Sequence, residues 1–94
     1  EIPDLAFLFC LLYYRDKYSP GSSAVNTEDV CLAENSPGRV INLPEYQVRT
    51  ILGILHNAGL VRLEQLANLD QVRLSDTLTQ EDVLGRIYGG KDAN

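Results

Sequence analysis

Between residues 44 and 63 the hydrophobic positions change their period, and the change marks a helix giving way to a strand. Val48, Ile51, Leu52 and Leu55 follow the i, i+3, i+4, i+7 spacing of one buried helical face, and Ala58 extends the stripe. Tyr46, Arg49, Thr50, Gly53 and Asn57 fall on the opposite, outward face. Pro44 suits the first helical position, where its missing N–H costs nothing, and Glu45 complements the positive end of the helix dipole. Gly59 stands where a left-handed terminating residue is wanted, and Leu60 resumes the chain in extended form.

Beyond that glycine the pattern alternates at period two. Val61 and Leu63 oppose Arg62 and Glu64, then Val72 and Leu74 oppose Arg73 and Ser75, with Ala67-Asn68-Leu69-Asp70 as turn material. This predicts a two-stranded hairpin. Thr79, followed by Glu81 and Asp82, has the form of an N-cap with an acidic first turn. Val83, Leu84 and Ile87 then give a short last helix, ended by Gly89-Gly90.

Upstream, a ten-residue apolar run at 5–14 is too long for an ordinary strand and far short of the roughly 20 residues that span a bilayer. A buried first helix over residues 4–18 is expected. Tyr18-Ser19-Pro20-Gly21-Ser22-Ser23 is loop chemistry. Asn26 or Thr27 can cap a second helix of about two turns, with Glu28 and Asp29 in its first turn and Val30, Cys31 and Ala33 behind.

The run from residue 48 to 61 resembles the winged helix-turn-helix pattern, in which a buried Val48, a leucine-rich face and a closing Ala58-Gly59-Leu60-Val61 lead into the wing. Val72-Arg73-Leu74-Ser75 sits where such domains place the returning wing strand. The resemblance covers residues 44–88, and more loosely the helices before them. It implies a mainly α fold of three to four helices plus a two-stranded wing, with the helix after Pro44 as recognition helix. The segment at 35–43 is longer than the tight turn usual in a helix-turn-helix. It either alters how the second and third helices cross or adds a short strand at Val40-Ile41. A second resemblance, carried by Val48-Arg49-Thr50, Ala58-Gly59-Leu60 and residues 63–69, is to the helix-hairpin-helix in the C-terminal domain of the bacterial RNA polymerase alpha chain. It needs a one-residue insertion and lacks that family's second glycine hairpin at 72–78. The two separate at residues 63–70, which are strand and turn in the first and helix in the second.

Ninety-four residues with 45% hydrophobic content suffice for one small core, so residues 1–94 are expected to form a single domain. The chain opens on Glu1 and contains neither Met nor Trp, so it is expected to be a piece of a longer protein. Glu1 and Asp4 carry the wrong charge for a secretory signal, which together with the lack of a membrane span points to an intracellular setting, cytoplasmic or nucleoid/nuclear. Cys10 and Cys31 are expected as reduced core residues. The lone His56 has no Cys, Asp or Glu at metal-ligand spacing and no nucleophile motif to serve, and no glycine-rich phosphate loop is present. An enzyme is not expected, nor a cofactor, a metal or a small-molecule ligand.

Charge then bears on the partner. The net charge is −5, opposite to the basic footprint of a phosphate-neutralising protein. It is unevenly placed. Residues 1–34 and 64–94 are both acidic, whereas 35–63 hold Arg39, Arg49 and Arg62 against Glu45 alone. Arg49, Thr50 and Asn57 are therefore candidates to address base edges or phosphates from the exposed helix face. Arg39, Arg62 and Arg73 are candidates for backbone phosphates on its flanks, and Gly53 for a close approach of the helix backbone. Tyr46, Gly53 and Ile54 suit docking against another protein equally well, and the apolar first helix, rimmed by Tyr13, Tyr14 and Tyr18, is a candidate source of a buried patch. DNA is thus the first expected target, for a transcriptional or DNA-transaction regulator. A protein partner or homodimer within a multi-domain assembly is the alternative.

Overall fold

The apolar run at 5–14 forms the middle of a 17-residue helix, α1 (Ile2–Tyr18). Phe7, Leu8, Leu11 and Leu12 share one face at helical spacing and are all fully buried. Arg15 continues that face and is itself buried. Its charge is met by the Asp16 carboxylate at 2.8 Å, and its guanidinium donates to the Ser75 carbonyl oxygen at 3.4 Å. Tyr13 and Tyr18 are exposed, whereas Tyr14 is half-buried and packs against the core. The computed structural model describes residues 2–92; Glu1 lies outside them.

After the loop the chain forms a strand the hydrophobic pattern does not predict, β1 (Ala24–Asn26). It leads straight into α2 (Thr27–Leu32), which has Asn26 as N-cap and stops just before the expected Ala33. The segment at 35–43, where a strand at Val40-Ile41 was one expectation, instead contains a short helix, α3 (Pro37–Ile41). Its local chemistry explains the helix. The buried Ser36 hydroxyl accepts from the Arg39 amide, Pro37 takes the first position, and Asn42 supplies a left-handed C-cap at φ 63°. Gly38 is needed for contact rather than for conformation. A Cβ there would lie 2.8 Å from the Cys31 carbonyl oxygen and 3.1 Å from a Val48 methyl.

The expected amphipathic helix is α4 (Glu45–Asn57). Pro44 is its N-cap rather than its first residue, and Ala58 is an exposed C-cap rather than part of the buried stripe. Val48, Leu52 and Leu55 are buried and Ile51 is half-buried. Gly59, at φ 78°, closes the helix with two reversed bonds, its own amide to His56 O and the Leu60 amide to Leu55 O.

The hairpin consists of β2 (Arg62–Leu66) and β3 (Leu69–Arg73), so residues 63–70 are strand and turn and the helix of the helix-hairpin-helix alternative is not formed there. Its turn is tighter than the four residues expected. Leu66 pairs with Leu69, leaving only Ala67 and Asn68, both at positive φ (51° and 68°), as a primed two-residue turn requires. The sheet has three strands rather than two, in the order β1-β3-β2, all antiparallel. Val72 lies at its centre, opposite Val25 on one side and Leu63 on the other. Leu63, expected to face inward, remains partly exposed because it lies on an edge strand.

The last helix, α5 (Gln80–Asp92), is longer than expected and runs through Gly89-Gly90. It begins with a capping box in which the Thr79 amide donates to the Asp82 carboxylate at 2.9 Å and the Asp82 amide to the Thr79 hydroxyl at 3.1 Å. Val83 is fully buried, and α5 packs along α1. One core thus joins α1, α2, α4, α5 and the inner face of the sheet. The fold is mainly α with a small antiparallel sheet, and the five helices among the described residues exceed the expected three to four because α3 is added.

Candidate recognition surface on α4 and the hairpin

Helix periodicity separates α4 into an outward face and two flanks. Tyr46, Thr50 and Asn57 are exposed on the outward face, with Tyr46 at 69%. The Thr50 hydroxyl turns back to donate to the Tyr46 carbonyl oxygen at 2.9 Å. Gly53 lies in the same row, and a Cβ added there would meet nothing within 4 Å. This row is neutral and unobstructed among the described residues.

The flank carrying Glu45, Arg49 and His56 faces the hairpin. His56 fixes its base, because Nδ1 accepts from the Leu63 amide at 3.3 Å. Arg49 spans to the tip. Its Nε donates to Glu45 at 3.0 Å, one helical turn earlier, and its terminal nitrogen lies 3.7 Å from the Asp70 carboxylate of β3. The hydrogen bond to Glu45 is the main reason that the Arg49 proton is held more firmly than usual. Beneath this bridge lies an open cleft of about 330 Å³, lined by Thr27, Arg49, Leu52, Leu63, Asp70 and Gln71 among others.

The remaining sequence-derived arginines are not gathered at this site. Arg73 donates to Glu64 at 2.8 Å and to the Ser23 hydroxyl at 2.9 Å, which ties its side chain down across the sheet. Arg62 lies 3.9 Å from the same Glu64. Arg39 sits apart on α3, donates to the Leu32 carbonyl oxygen at 3.4 Å, and has no ion pair among the described residues. The hairpin tip carries Leu66 and Leu69, each about half exposed, in place of basic side chains.

Two features escaped sequence reasoning. Glu45 as a partner of Arg49 was available from the i, i+4 spacing alone. Asp70 was not, because only the hairpin brings it beside a residue 21 positions earlier in the chain. Cys31 is buried and Cys10 half-buried, both as free thiols, and burial pushes both up from their ordinary value. No three His, Cys, Asp or Glu side chains gather at metal-binding distance among the described residues. None of the described helices is long and apolar enough to cross a membrane.

Neither a protein-family model nor a curated protein sequence matches the chain. The fold has counterparts among solved structures. Two crystal structures of SspB, one of them with bound magnesium ion, superpose with a TM-score of 0.71 each, at 13% identity and over 97% of this chain. The chain spans only 27% and 28% of the length of those SspB chains. At this identity the likeness is one of fold.

Proposed function

We propose that this chain is a winged-helix recognition module of a larger protein, with α4 as recognition helix, the β2–β3 hairpin as wing, and duplex DNA as target. The order helix, strand, paired short helices, long helix and hairpin supports the winged-helix reading, with α3 filling what is a tight turn in shorter members. The observation that carries the DNA reading is the outward row of α4. Tyr46, Thr50, Gly53 and Asn57 form a neutral, hydrogen-bonding face on a 13-residue helix beside a hairpin, with no side chain added at Gly53 to hold off a groove. Arg49 stands on the hairpin-facing flank of that row. The ion pairs of Arg49 are exposed, and such pairs are worth only about 0–1 kcal/mol, so they yield to a phosphate.

Fluorescence anisotropy with a labelled duplex tests this reading. Affinity is expected to fall steeply between about 50 and about 200 mM salt, and Arg49→Ala to weaken it. A lack of binding to any duplex at low salt, with self-association in sedimentation, overturns it in favour of protein assembly. One observation favours that second reading: Tyr46, Leu66 and Leu69 are large, exposed and apolar, and the wing tip offers no cation.

A further inference from the structure

We infer that Glu45 and Asp70 form a built-in competitor for the phosphate that Arg49 binds, so that the recognition surface is held in a self-neutralised state; this rests on the DNA reading. The geometry is a substitution of like for like. A guanidinium recognises a phosphate through anionic oxygens, and here a Glu45 oxygen at 3.0 Å takes up the hydrogen bond while an Asp70 oxygen at 3.7 Å adds a longer charge contact. The two acids come from different elements, one from the first turn of α4 and one from the hairpin, so the fold sets where each stands relative to Arg49. The same device recurs on the outer face of the sheet, where Glu64 takes up both Arg62 and Arg73. On the hairpin, both arginines therefore have a carboxylate within 4 Å.

Engagement of DNA then has two parts. Arg49 leaves Glu45 and Asp70, and the phosphate must outweigh two carboxylates that remain nearby and repel it. Binding by the native chain is weak and strongly dependent on salt, and the strength of the site is set by the acids as much as by the arginine.

The test is a double-mutant comparison by anisotropy on one duplex at about 50 mM salt. Glu45→Gln/Asp70→Asn removes both competitors. Glu34→Gln/Asp76→Asn removes the same formal charge without an ion pair to Arg49 and serves as the control. The first pair is expected to tighten binding about three- to tenfold more than the control pair does, with the extra gain lost when Arg49→Ala is added. An equal gain from both pairs, or a gain that persists without Arg49, overturns the inference and leaves the DNA reading standing. Absence of binding by all variants, Glu45→Gln/Asp70→Asn included, overturns the DNA reading itself. Thermal melts of each variant check that the fold is retained.

Discussion

Val25 of β1 and Val72 of β3 stand directly opposite one another in the sheet, 5% and 0% exposed, and join the first strand to the middle of the hairpin. The contact makes three strands where the hairpin alone would offer two, and a two-stranded hairpin is marginal by itself. Val72→Ala is expected to cost roughly 2 kcal/mol through lost burial and an unfilled cavity. Urea unfolding should show a lower midpoint at unchanged slope.

Gly38 and Gly53 should respond in opposite directions to the same substitution. Gly38→Ala drives a Cβ against the Cys31 carbonyl oxygen at the junction of α2, α3 and α4, and is expected to cost about 1–3 kcal/mol. Gly53→Ala meets open space within α4 and is expected to gain about 0.5–1 kcal/mol from helix propensity. If α4 lies in a DNA groove, Gly53→Ala should stabilise the fold while weakening binding. Melting and anisotropy on one sample read both effects, and unchanged binding would remove Gly53 from the contact surface.

The hairpin turn uses a residue poorly suited to its conformation. Ala67 and Asn68 both adopt positive φ, where alanine is disfavoured by roughly 1–2 kcal/mol. Ala67→Asn with Asn68→Gly supplies the preferred pair for this turn. A stabilisation of about 1 kcal/mol is expected, seen as a melting temperature raised by roughly 4–8 °C.

Alkaline pH should weaken the fold. Burial raises the Cys10 and Cys31 thiols above 9.0, and it raises the Tyr14 hydroxyl above 10.0, with the Asp29 charge adding to the effect. In each case the folded chain holds the proton more tightly than the unfolded chain. The stability they contribute is therefore fully present below about pH 9 and is lost as pH rises through the folded values. Urea midpoints at about pH 7 and about pH 10 check the sign, and a midpoint that does not fall contradicts it.

What the sequence disclosed depended on how local each determinant was. The buried face of α4, its stop at Gly59 and the hairpin follow from neighbours within a few residues, and the structure has them. β1 was hidden because it offers a single buried residue, Val25, whose partner lies 47 positions away. α3 was hidden because Ser36-Pro37-Gly38 has turn composition, while Gly38 is there to let three segments approach. The same limit applied to the site. The outward row of α4 follows from helix periodicity, but which arginines are free depends on Asp70 and Glu64, and their reach is decided by the sheet.

The packing of α1 along α5 also bears on the order of assembly. Phe7, Leu8, Leu11 and Leu12 leave the ribosome ahead of the other core residues, yet one wall of their enclosure is made last, by Val83 and Ile87. Until then the most apolar helix of the fold has an incomplete shelter, and closing it requires a loop of about seventy residues. Within residues 2–92, α1 is made before the elements that enclose it, and a chain stalled before α5 presents a sticky helix to chaperones and to its neighbours.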